Sequence, residues 1–197
     1  MITKTQIEIM KVLTGKIIER FSIKEVSEII KKPYPLVHRS VKELIENNLL
    51  LKDNKKFIYL NYKENFQIIS YIEALRTSQF LKNQTISLFA KDVLNKINSY
   101  FFIFLVFGSS VESKNFKDID ILIITENKEK IDETEKIISN ISSNFLKKFD
   151  INVISSESAY EMLNKRDSIN ILNETLNKHI LIYGAENYYR ILKNARR

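Results

Sequence analysis

The sequence predicts an α+β protein with three parts: an N-terminal unit of short helices and a β-hairpin, a helical linker, and a C-terminal α/β unit with a mixed sheet. Three observations predict it. Apolar residues recur at helical spacing through most of the first hundred positions. Two unbroken apolar runs, rich in β-branched and aromatic residues at 101–107 and in isoleucine at 121–124, then read as strands buried on both faces. Only three glycines and two prolines interrupt 197 residues, so regular elements must be joined by short connections.

Composition excludes several classes of function. The longest apolar run, at 100–107, is far short of the roughly 20 residues that span a bilayer. The N-terminus carries no apolar segment of the kind a signal peptide needs. The expectation is a cytoplasmic protein with no membrane partner. Cysteine is absent, which removes disulfides and thiolate metal sites. The two histidines, His38 and His179, lie too far apart in sequence to suggest zinc. Any metal is therefore expected to be a hard cation held by carboxylates. The net charge of +7 is uneven: residues 1–64 carry 13 Lys and Arg against 8 acids, and the remainder 18 against 16. A basic N-terminal third points to phosphate, most simply that of nucleic acid.

Each element follows in order. Ile7, Ile9, Met10 and Leu13 mark a first helix. Ser22 with Glu25 three residues on is a capping box, and it opens a second helix of about ten residues that ends before Pro33. A third helix runs from Tyr34 to Asn47 on an inner stripe of Val37, Val41, Leu44 and Ile45. Two β-like runs, 49–52 and 56–62, flank the turn residues Asp53 and Asn54. Three helices and a hairpin in this order resemble a winged helix-turn-helix domain over residues 1–64. The resemblance implies that the third helix enters a DNA groove through Tyr34, His38, Arg39 and Lys42, while the hairpin tip brings Lys52, Lys55 and Lys56 to the backbone.

Residues 65–100 contain no proline or glycine and read as one long or two consecutive helices, with 65–83 as linker. The first should pack on the N-terminal unit or on a second copy of the chain, giving a homodimer; the last should pack on the following sheet.

The strand at 101–107 stops at Gly108-Ser109-Ser110. Ten residues after Gly108 comes Asp118-Ile119-Asp120, which opens the next strand. Residues two apart on a strand share a face, so the two carboxylates stand together and Ile119 points away. Paired carboxylates repel, and a divalent cation removes that repulsion by ligating both. Asp150, in another strand-like run at 149–154 after a helix expected over 128–147, completes the cluster if its strand lies beside that of Asp118. It could then hold a second ion or take the proton of an attacking hydroxyl. Gly108 lets the backbone turn tightly, and the following amides, those of Ser109 and Ser110, with the Ser109 hydroxyl can face phosphate oxygens. Further on, Ser156 or Ser158 should cap a helix, Ser168 to Lys178 should form another, and 179–183 should be a strand with Tyr183 in the core, ended by Gly184 before a last helix. Lys165 and Arg166 read as surface residues.

Gly-Ser, a short loop and Asp-x-Asp between two buried strands resemble the polymerase β-type nucleotidyltransferase superfamily, and within it the small prokaryotic minimal nucleotidyltransferases, over residues 84–197. The loop at 110–117 departs from the pattern in being short and in lacking its usual Arg and Gly. The resemblance implies a magnesium-dependent enzyme, with one ion or two held by Asp118, Asp120 and Asp150. The triphosphate of a nucleoside triphosphate would sit on Gly108, Ser109 and Ser110. The acceptor would be a hydroxyl of a protein such as a toxin partner, of an RNA end or of a small molecule. The alternative is a DNA-binding, antitoxin-like regulator whose second unit binds nucleotide without turnover.

Overall fold

The computed structural model describes residues 2–113 and 116–196. The chain begins with helices α1 (Lys4–Thr14), α2 (Ile23–Ile29) and α3 (Tyr34–Glu46) and the antiparallel hairpin of β1 (Leu50–Lys52) and β2 (Ile58–Leu60). Capping boxes fix two starts, Thr3 with Gln6 on α1 and Ser22 with Glu25 on α2. At seven residues, α2 is shorter than expected. The chain leaves the helix when Lys31 takes a positive φ of 53°, and the residue ahead of Pro33 is pushed towards extended backbone.

The linker is two helices, α4 (Phe66–Phe80) and α5 (Gln84–Lys96), separated where Asn83 caps α5 by accepting from the Ile86 amide. Most of their apolar residues are used within the chain: Ile69 and Ile72 in one core, Ile86, Phe89 and Val93 in the other. Ile68, Tyr71, Leu88 and Leu94 remain exposed.

The C-terminal region runs β3 (Phe102–Phe107), α6 (Ser109–Glu112), β4 (Asp118–Thr125), α7 (Ile131–Ser142), β5 (Lys148–Ser155), α8 (Ser156–Asn164), α9 (Ile171–Thr175), β6 (His179–Tyr183) and α10 (Ala185–Ala195). The four strands form one mixed sheet in the order β5-β4-β3-β6. β4 and β5 are parallel, joined by a crossover through α7, and the other pairs are antiparallel.

Four expectations need correction. The helix expected over 128–147 is a short 3₁₀ turn, Lys128–Lys130, followed by α7, which stops at Ser142. There the side chains of Ser142, Ser143 and Asn144 bond carbonyls of the last turn and end the helix. The cap of α8 is Ser155, not Ser156 or Ser158. The helix expected from Ser168 to Lys178 is only Ile171–Thr175, because Asn170 caps it and the Asn170 and Asn173 amides tie up the preceding loop carbonyls. Tyr183 is 45% exposed at the end of an edge strand, stacked on Phe102 at 4.5 Å, rather than in the core.

The sheet separates two apolar clusters. Ile119, Ile121 and Ile123 of β4 with Phe102, Phe104 and Val106 of β3 face α5 and α7. Leu122 and Ile124 with Ile103, Leu105 and Phe107 face α8, α9, α10 and α4, and that cluster continues without a break into Ile9, Met10 and Leu13 of α1 and the core of the N-terminal helices. Two polar contacts reinforce this continuity: the Ile17 amide donates to the Leu176 carbonyl at 2.9 Å and the Ile18 amide to Asn177 Oδ1 at 3.1 Å.

Candidate active site

Strand register brings the three acids to one place. β4 pairs with β5 so that Asp120 stands opposite Asp150, and Asp118 opposite Lys148. Register partners on parallel strands share a face, as do residues two apart on one strand, so Asp118, Asp120 and Asp150 lie on the same face. Asp118 and Asp120 are half-buried, and Asp150, on the edge strand, is exposed. Burial pushes the Asp120 carboxyl above its usual range, and the charges of Asp118 and Asp150 push it further, with a smaller push from Glu174 of α9. A carboxyl raised first by burial and then by neighbouring acids is a place where a cation would be stabilised.

Gly108 is required by the same geometry. Phe107 pairs with Asp120 across β3 and β4, so the next residue lies against that side chain. Gly108 has φ of +72°, and a Cβ there would meet Asp120 Oδ2 at 2.2 Å. The positive φ strains any other residue there, and a Cβ would force the Asp120 carboxyl aside. Ser109 is exposed at the start of α6. Ser110 is buried, and its hydroxyl donates to the Phe107 carbonyl at 3.2 Å, so that hydroxyl serves the turn rather than a ligand.

As for a metal, the donors are hard oxygens on one face, the type magnesium takes. Among the described residues no group of three or more acid or histidine side chains stands close enough to hold a metal ion as it is, so the three carboxylates would have to close on one. Donor chemistry and shared face fit a hard divalent ion; a closed cage is not built in.

Behind the turn lies a buried polar network that sequence reasoning did not find. Glu73 of α4 is fully buried. It bonds Arg76 Nη1 at 2.6 Å and His179 Nε2 at 3.1 Å, and accepts from the Tyr189 hydroxyl at 2.8 Å. Burial alone would raise its carboxyl, but attraction to Arg76 and His179 and the hydrogen bonds hold it below the usual value. Arg76 also donates to the His179 carbonyl at 2.6 Å, and Thr77 to the Leu181 carbonyl at 2.7 Å, so α4 is fastened to β6. The Gly108 amide donates to the Lys178 carbonyl at 3.2 Å, next to His179. Glu112 of α6 pairs with Lys178 at 3.1 Å and with Lys16 at 3.5 Å, which draws its carboxyl down. Lys178, Glu112 and Glu174 were also missed. Each looks like an ordinary charged surface position, and only the fold brings it near the turn or the acids.

The second group of expected residues lies in the N-terminal region. Tyr34, His38, Arg39 and Lys42 are all exposed on α3. Tyr34 and His38 have ring centroids 5.8 Å apart. Arg39 and Lys42 make only long contacts of 3.9 and 3.8 Å to Glu43 and Glu46, pairs worth about 0.3–0.5 kcal/mol at an exposed helix surface. They are available to a stronger anion. Lys55 and Lys56 are exposed at the hairpin tip, where Lys56 has φ of +70°. Asp53 shapes that tip by accepting from the Lys55 and Phe57 amides at 2.9 Å each, and Arg20 holds Asp53 at 2.6 Å.

No family model matches this chain, and no curated protein or solved structure matches it either.

Proposed function

We propose that the chain is a magnesium-dependent nucleotidyltransferase of the polymerase β type. It moves a nucleoside monophosphate from a nucleoside triphosphate to a hydroxyl of a protein, an RNA end or a small molecule. Its first 64 residues act as a winged helix that contacts DNA. The observation that carries this reading is the register pair of Asp120 and Asp150, with Asp118 on the same face and the Asp120 carboxylate packed against Gly108.

In this reading Asp118, Asp120 and Asp150 hold magnesium, which when bound would neutralise phosphate charge and help align an in-line displacement. The chain's own residues do the rest. Gly108 lets the backbone approach the phosphates, and the exposed Ser109 offers its hydroxyl and amide to their oxygens. Asp150, exposed at the edge of the sheet, would accept the proton of the attacking hydroxyl. The acceptor oxygen bonds the α-phosphorus as the bond to the bridging oxygen breaks, and pyrophosphate leaves. The α3 face and the hairpin tip provide the cations for DNA phosphate.

The test is transfer of label from α-labelled ATP with magnesium, wild type against Asp118→Ala/Asp120→Ala. Transfer that disappears in the variant supports the enzyme. Magnesium should also raise the melting midpoint of the wild type and not of the variant, with about 2.7 kcal/mol of stabilisation at a hundredfold excess over Kd. The regulator reading is favoured by the loosely paired cations of α3. It predicts no transfer to any acceptor, together with salt-sensitive DNA binding abolished by Arg39→Glu/Lys42→Glu.

A further inference from the structure

A cavity of about 910 Å3 lies where α1, the α4–α5 turn and α6 meet. Its size is within the range of small-molecule sites, roughly 300–1,000 Å3. None of Asp118, Asp120, Asp150, Gly108 and Ser109 lines it. Of the residues expected to take the triphosphate only Ser110 lines it, with its hydroxyl already bonded to the Phe107 carbonyl, and the wall continues through Val111, Glu112 and Ser113.

The charges in its wall can be followed one at a time. Arg76 lines it, but its charge is met by Glu73 at 2.6 Å. Glu112 lines it, but Lys178 and Lys16 already neutralise that carboxylate. Among the described lining residues two cations are left, Lys11 of α1 and Lys82 of the α4–α5 turn, and neither pairs with a carboxylate. The rest of the wall includes the rings of Phe80 and Phe116. Lys147 lies over the Phe116 ring at 4.4 Å and also donates to the Phe116 carbonyl, which fixes that ring. Two unspent positive charges beside aromatic surface match a ligand with about two negative charges and a flat apolar body. A phosphate monoester carries about −1.5 to −2 at neutral pH.

We propose that this cavity binds an aromatic phosphate monoester of the nucleoside monophosphate class, with the phosphate between Lys11 and Lys82 and the ring against Phe80 and Phe116. Such a ligand would touch the first helix and the segment that follows the Gly-Ser turn at once. The site stands apart from the nucleotidyltransfer reading, and the two can fail separately.

The experiment is calorimetric titration of the full chain with AMP in EDTA, so that no divalent ion serves the acid cluster. The expected result is one saturable site, unchanged in Asp118→Ala/Asp120→Ala. Inorganic phosphate should bind at least tenfold more weakly than AMP. Lys11→Glu/Lys82→Glu should weaken AMP at least tenfold with the melting midpoint preserved, and Lys82→Glu alone, at an exposed position, should weaken it several-fold. The proposal is overturned by the absence of saturable AMP binding, by binding that survives both lysine variants, by loss in the aspartate variant, or by phosphate binding as tightly as AMP.

Discussion

The two faces of the sheet are built on different rules. On one, Ile119, Ile121 and Ile123 of β4 meet Phe102, Phe104 and Val106 of β3 under α5 and α7, and the contact is almost wholly hydrocarbon. Phe89 stacks there on Phe149 at 4.0 Å. On the other, Leu122 and Ile124 share their strand with Asp118 and Asp120, and the cover includes the buried Glu73, His179 and Tyr189. One face is sealed by burial alone. The other keeps most of its polar groups paired within the interior or at the open end of the strands, although Thr14 Oγ1, Ser70 Oγ and Arg196 Nε are buried without a partner. Among the described residues the buried ionisable groups Glu73, His179 and Arg196 thus lie on the face where the candidate chemistry sits.

The comparison can be broken hardest at Glu73. Glu73→Ala leaves Arg76 and His179 buried without their partner, at a cost of about 3–5 kcal/mol. At roughly 2–4 °C per kcal/mol for a chain of this size, the melting midpoint should fall by about 6–20 °C. The Glu73 carboxyl titrates below its ordinary value of 4.5 in the fold. Its contribution is therefore present above that pH and lost as pH falls through the lowered value, and the variant should lose that part of the acid limb of the stability curve. A midpoint within two degrees of wild type would show that the network contributes nothing.

Next in size is Ile121→Ala on the hydrocarbon face. Ile121 is fully buried, and the cavity should cost about 2–4 kcal/mol. Urea unfolding should register that loss while the magnesium-induced rise in melting midpoint stays intact. A lost magnesium response would mean that the two faces are not independent.

The smallest effect sharpens the contrast by its sign. Asp120→Asn removes one of the crowded charges, so in EDTA at pH 7 the variant should be more stable than wild type by about 0.2–1 kcal/mol. Because the Asp120 carboxyl is raised above 3.8 in the fold, its favourable contribution is present below that pH and lost as pH rises through the raised value. Urea melts between pH 3 and 7 should show that decline in the wild type and a flatter profile in the variant. A variant less stable than wild type at pH 7 would mean that the carboxylates do not repel one another.

The acid cluster was legible because strand alternation is strict. Once Asp118 and Asp120 open a buried strand they must share a face, and only the neighbour of that strand was open. The register of Asp150 answered it. The capping box at Ser22 and Glu25 was legible for the same local reason. Glu73 was not, since a Glu three residues before an Arg on a helix is the commonest of surface pairs. Nothing local says that α4 is covered from both sides, by α1 and by β6. The loop before α9 escaped for another reason: asparagines that bond backbone carbonyls end a helical pattern whose apolar spacing continues, and Ile169, within the helix expected from Ser168, is 95% exposed.

The amide of Ile17 finds its acceptor in Leu176, and the amide of Ile18 is met by Asn177 some 159 positions later. During synthesis the turn that follows α1 must therefore wait for partners that do not yet exist. At about 5–20 residues per second that delay is on the order of ten to thirty seconds. For that interval Ile9, Met10 and Leu13 can close on α3, β2 and α4, while the turn after α1 still lacks Leu176 and Asn177, so the order of translation leaves this seam among the last parts of the molecule to close.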